Sequence, residues 1–153
     1  MNYDEAVTNF WQEIGESKKM VLSTSAKDIV SSRMMSVVAI DRCFYFQTDT
    51  ESRKYAQLTE NHHAALCCDN IQVEGTVREL GHPTENPAFC AAYQKSFPGS
   101  FQRYTNLQAE RLFCFEPSFI ERWLYFNGEP CIEKIDIVSK TYTLVQLYQM
   151  QEF

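Results

Sequence analysis

The feature that most constrains the fold is a rhythm of short β-prone runs, punctuated by turn residues two or three at a time. Met20–Ser25 reads as a strand, Ala26-Lys27-Asp28 as a turn, and Ile29–Ile40, rich in Val, Ile, Met and Ser, as a longer strand. Asp41-Arg42 then turns the chain and Cys43–Thr48 returns it, which makes a meander. Ala64–Cys68 is apolar and strand-like, and Asp69-Asn70 is turn chemistry. The following run alternates: Ile71, Val73 and Val77 face one way, and Gln72, Glu74, Thr76 and Arg78 the other. That period of two is a half-buried strand. Gly75 interrupts it and signals a bulge or the close approach of another backbone. Arg111–Phe126 is strand-like, with an interruption expected around Pro117-Ser118. Asn127-Gly128 is a hairpin turn, and Cys131–Val138 and Tyr142–Tyr148 complete the strands. Six or seven short strands joined this way suggest a closed or nearly closed antiparallel barrel.

Helices flank the strands. Tyr3, Ala6, Val7, Phe10, Trp11 and Ile14 have helical spacing, and Gly15 with Lys18-Lys19 marks the end. Asp49-Thr50-Glu51 opens a helix running to about Glu60, with Thr50 as its expected N-cap. Pro83–Phe97 is helical in character and Pro98-Gly99 breaks it. With 153 residues, no internal repeat and no linker, residues 1–153 read as a single mainly β domain.

Charge and composition narrow the partners. A net charge of -6 disfavours a generic nucleic-acid or anionic-membrane binder, so any anionic ligand needs a local basic cluster. No stretch approaches the roughly 18 apolar residues of a membrane span. The acidic N-terminus has no apolar core of a secretory signal, and a cytoplasmic location is expected. The 6 Cys, none in C-x-x-C, are then reduced and read as buried small apolar residues. His62, His63 and His82 lack a zinc spacing, so no metal site is expected. The 2 Trp, 8 Tyr and 11 Phe imply an aromatic core or flat surfaces for a ligand or partner. A small barrel cannot bury so many within one subunit, which favours a homodimer.

The chemistry concentrates between Arg33 and Lys54. Ser52-Arg53-Lys54 falls in the first turn of the expected helix. Cations there oppose the helix dipole at roughly 0.3–1 kcal/mol each, and an anion at that end reverses the sign. A Ser hydroxyl, an Arg fork, a Lys ammonium and free helix N–H groups together suit a phosphate. The alternative is that both cations simply reach into water. Arg33 lies mid-strand in an apolar segment, so it needs either an anionic ligand or a core salt bridge. Gln72 places an amide on the polar face of the alternating strand.

Together these residues resemble the FMN-binding split barrels related to pyridoxamine 5'-phosphate oxidase. The motifs are Arg33-Met34-Met35, Phe46-Gln47-Thr48, Ser52-Arg53-Lys54 and Gln72-Val73-Glu74-Gly75, in the family's order, with Leu58 and Asn61 matching the helix end. The resemblance covers about residues 3 to 138. It implies a split barrel holding FMN at a homodimer interface. Ser52, Arg53 and Lys54 would hold the phosphate, and Arg33 would contact the phosphate or the flavin edge. The backbone of Met34, Met35 and Ser36, with Gln47 and Thr48, would border the ring and ribityl chain. Gln72 would bond the ring or its tail, and Trp123 would reach the partner's flavin. The activity implied is that of a flavin-dependent oxidoreductase using a small-molecule substrate or NAD(P)H, with no catalytic side chain nominated. The alternative is a non-catalytic module that stores or senses flavin or another planar ligand. Haem is a further option, with His62 and His63 as candidate axial ligands. Two departures stand out. Val38 occupies a position that is usually Lys in pyridoxamine phosphate oxidases, and the C-terminal YTLVQLYQMQEF lacks the Arg and His that grip their substrate phosphate. Both point away from pyridoxamine phosphate oxidation itself.

Overall fold

The computed structural model describes residues 1–147. Helix α1 (Tyr3–Ile14) leads into β1 (Ser17–Ala26), β2 (Ile29–Ile40) and β3 (Cys43–Asp49). Helix α2 (Arg53–Glu60), β4 (His63–Cys68) and β5 (Ile71–Glu79) follow. After a 3-10 turn at Pro83–Glu85 come α3 (Pro87–Ser96), α4 (Pro98–Tyr104), β6 (Glu110–Phe126), β7 (Glu129–Asp136) and β8 (Thr141–Gln146).

All strand pairings are antiparallel, in the order β3-β2-β1-β4-β5-β6-β7-β8, and β3 also pairs with β6. That last pairing, Phe44 opposite Phe115 through Asp49 opposite Glu110, closes a six-stranded barrel. The expected antiparallel barrel is therefore present, and β7 and β8 extend it from β6 as an arm. The hairpin loops have positive φ at both central residues: Lys27 and Asp28, Asp41 and Arg42, Asn127 and Gly128. This mirror-image turn matches the right-handed twist of the flanking strands.

The barrel core is Met20, Leu22, Val37, Phe44, Phe46, Leu66, Val73 and Phe115, joined by Val7, Phe10 and Ile14 of α1 and Leu58 of α2. The N-terminal helix is set by an Asn2–Glu5 capping box, which satisfies two otherwise orphaned N–H groups. A second cluster lies outside the barrel, where Phe89 and Tyr93 of α3 cover Val38 and Leu112. Val38 is fully buried there, so the departure at this position belongs to an apolar wall.

Several boundaries differ from expectation, each for a local reason. Lys18 and Lys19 lie in β1, not at a helix end, because Gly15 already stops α1. Pro98-Gly99 starts α4, since proline suits a first helical turn. The expected helix over Pro83–Phe97 divides into the 3-10 turn and α3, separated by Asn86, whose side chain accepts from Phe89 N–H. Strand β6 runs unbroken through Pro117-Ser118. The irregularity falls on β5, where the register shifts between Glu74 and Gly75 and Gly75 faces Pro117. Of the expected last strand, Tyr142–Gln146 is strand and Tyr148 lies outside the described residues. No helix among the described residues is long and apolar enough to cross a membrane.

Candidate functional site

The segment joining β3 to α2 is folded by its own polar side chains. Asp49 Oδ1 accepts from Glu51 N–H at 2.6 Å, which tightens the turn. Ser52 Oγ then accepts from Tyr55 N–H, donates to Asp49 O and meets Thr48 Oγ1 at 3.1 Å. The N-cap is therefore Ser52, not Thr50. Both can cap, but Thr50 is consumed by the turn. Arg53 and Lys54 become the first two helical residues, where the dipole disfavours cations.

Arg33 projects from β2 toward this corner. Its Nη1 donates to Thr24 Oγ1 at 2.7 Å and to Leu22 O at 3.4 Å, and its Nη2 donates to Gln57 Oε1 at 3.4 Å. Thr24 Oγ1 donates to the same Gln57 oxygen at 2.5 Å, and Gln57 Nε2 donates to Ser31 Oγ. Thr24 and Gln57 are buried, so this neutral scaffold holds the guanidinium in one pose. A core salt bridge does not form. Arg33, Arg53 and Lys54 all lack a carboxylate partner among the described residues. Burial first, then the nearby Arg53, lowers the pKa of Arg33. Burial and then Arg33 lower that of Lys54, partly opposed by Glu110 and Asp49. Both directions are those of cations drawn partly out of water and set beside another cation.

A cleft of about 330 Å³ opens beside this corner, between the barrel and the α3–α4 segment. Met34, Met35, Ser36, Gln47, Thr48 and Lys54 line it, so six of the expected residues meet at one place. Arg33, Ser52 and Arg53 stand at its phosphate-suited corner rather than on its lining. Gln72 and Trp123 do not line it. Gln72 is exposed on β5 opposite Glu121, and Trp123 is 43% exposed two residues further along β6. His62 and His63, at the start of β4, are also outside the lining.

The wall opposite β2 holds groups that no local sequence pattern revealed. Tyr93 is buried. Its phenol pKa is raised chiefly by that burial, while hydrogen bonds with Ser36 and Ser100 lower it. Thr105 donates to Gln47 Oε1 at 3.0 Å, which orients that amide. Glu110 is buried yet lines the cleft. Burial, then Asp49, raises its pKa, with Lys54 and His82 opposing. Lys19 Nζ donates to Ser36 Oγ at 2.9 Å and lies over the Phe97 ring, adding a cation beside β2.

Comparison with known proteins sharpens the assignment. A curated relative, the pyridoxine/pyridoxamine 5'-phosphate oxidase of Salinibacter ruber, is 38% identical over 76 residues, covering 44% of this chain and 35% of the relative. The matched segment thus spans about a third of that protein's length. A pyridoxamine 5'-phosphate oxidase-related, FMN-binding protein of Nostoc punctiforme superposes with a TM-score of 0.59 at 14% identity, covering 84% of this chain and 86% of that one. HutZ, a heme storage protein of Vibrio cholerae, superposes with a TM-score of 0.58 at 16% identity, covering 76% and 91%. These two superpositions establish a shared barrel. The family model described as pyridoxamine 5'-phosphate oxidase matches residues 4–124, which include β1 to β5, all but the last two residues of β6 and the whole cleft, and on that match the chain belongs to the pyridoxamine 5'-phosphate oxidase family.

Proposed function

We propose that this protein is an FMN-binding flavoprotein acting as a flavin-dependent oxidoreductase. The observation that carries the reading is the convergence of Arg33, Arg53 and Lys54, none ion-paired among the described residues, beside the N-terminus of α2 in a chain of net charge -6. Three gathered and unpaired cations repel one another unless an anion joins them. A phosphate monoester carries close to two negative charges near neutral pH and suits this corner. The strand β2 edge at Met34, Met35 and Ser36, with Gln47 and Thr48, supplies a wall for a flat ring, and the FMN-binding relative supports the choice of ligand. FMN, when bound, supplies hydride or electron transfer, while the chain supplies orientation and charge.

In this reading the protein works as a homodimer. Gln72 and Trp123, exposed and outside the cleft lining of their own subunit, serve the partner's site. Exposed Trp123, Tyr125 and Phe126 on β6, the first two with ring centroids 5.3 Å apart, support such an interface, since adjoining exposed apolar side chains favour association. The purified protein is expected to be yellow, with flavin absorption bands, and to be dimeric by light scattering. FMN should bind in preference to hemin. A Soret band on hemin titration with no flavin uptake overturns the reading in favour of haem. Rapid reduction of the bound flavin by NADH or NADPH in stopped flow supports an enzyme. Absence of reduction by any donor supports a binding or sensing module on the same barrel.

A further inference from the structure

The opposite wall of the cleft carries a group that FMN phosphate does not explain. Glu110, the first residue of β6, is 5% exposed, lines the cleft, and has no side-chain hydrogen bond or ion pair among the described residues. Its cross-strand partner is Asp49, a second carboxylate on the same lining. The neighbouring basic side chains are otherwise engaged. Arg111 donates to Gln108 O and Glu110 O through its guanidinium and pairs with Glu79. His82 spends its two ring nitrogens on Thr84 and Leu107 O. Arg103 lines a neighbouring hollow around α4, not the cleft. Lys54 is the remaining cation of the lining, and a bound phosphate would claim it.

No donor of the described residues reaches the Glu110 carboxylate, whose oxygens open onto the cleft, and a charged N–H group is the strongest partner it could take there. We propose that Glu110, supported by Asp49, is the acceptor for a protonated amine on the substrate, so that the cleft admits a small organic cation without a phosphate of its own. The exposed aromatic ring of Tyr104 on the same lining suits such a cation. The substrate class rests on the flavin reading. With the phosphate corner filled by FMN, a second phosphate entering the cleft would meet two carboxylates.

The test uses the FMN-loaded protein and three probes of one size: benzylamine, benzyl alcohol and benzoate, titrated by calorimetry and by perturbation of the flavin spectrum. Benzylamine, protonated at neutral pH, is expected to bind about tenfold more tightly than benzyl alcohol, the gain of a charge-assisted over a neutral hydrogen bond. Benzoate is expected to bind no better than the alcohol. Glu110→Gln keeps the shape and should abolish the preference for the amine while FMN content is retained. Equal binding of amine and alcohol, tighter binding of benzoate, no detectable binding of the amine, or an undiminished preference in the variant each overturns the proposal. The wild-type comparison stands even if the variant fails to fold. Failure of the protein to take up FMN overturns the flavin reading itself, and is seen before any probe is added.

Discussion

Arg33→Ala is expected to weaken FMN binding by about 10- to 150-fold, the loss of one charge-assisted contact, while riboflavin binding changes little. The two ligands differ only in the phosphate, so the ratio of their affinities isolates the corner formed by Arg33, Arg53 and Lys54. Equal losses for both ligands would place Arg33 elsewhere than at the phosphate. Gln57→Leu extends the same comparison. It removes the oxygen that accepts from both Arg33 and Thr24, so the guanidinium keeps its charge and loses its pose. The expected cost is about fivefold in FMN affinity, equivalent to one ordinary hydrogen bond of roughly 1 kcal/mol. A purely structural role for Gln57 would lower both affinities together, and the ratio separates the two roles.

The largest expected effect on stability is at Gly75. A Cβ built there would stand 2.3 Å from Glu116 O and 2.7 Å from the Phe115 ring. The backbone oxygen cannot turn aside as a flexible side chain could, and Phe115 is fully buried in the barrel core. Gly75→Ala should therefore cost about 3 kcal/mol or more, at the upper end of overpacking. For a chain of this size the melting temperature should fall by about 6–12 °C. Thermal unfolding followed by circular dichroism measures it. A loss below about 1 kcal/mol would mean that β5 and β6 separate freely at the bulge, contrary to this packing. The same bulge explains how β6 passes Pro117 without breaking. Proline has no N–H to donate, and it lies opposite Gly75 where the register shifts. Ser118 Oγ donates to Glu74 O and satisfies that carbonyl.

Much of this architecture could be read from residue order because its signals are local. Two-residue turns at Asp41-Arg42 and Asn127-Gly128, and the alternation from Ile71 to Val77, place strands within a residue or two. Gly75 announced a bulge or a close contact, and the structure has both. The gathering of cations was legible as well, because Ser52, Arg53 and Lys54 are contiguous and Arg33 is a charge in an apolar strand. Other features depended on which neighbour competes for a hydrogen bond. Thr50 and Ser52 are comparable caps, and the Asp49 turn decides between them. Groups brought together over long distances in the chain left no trace. Thr24 meets Gln57, Lys19 meets Ser36, and Glu110 comes up beside Asp49 only because β3 and β6 pair.

That pairing has a consequence for how the chain holds together. The strands that complete the ring belong to distant parts of the polypeptide, and bringing them side by side carries a loop-closure cost in entropy. Gln47, Thr48 and Asp49 lie on one margin of the join and Glu110 on the other, and all four border the same cavity. A molecule lodged there grips both margins at once and acts as a latch. If FMN lodges there, raising its concentration is expected to make opening of the cylinder rarer, and amide hydrogens along Gln47 and Leu112 should exchange more slowly as occupancy rises.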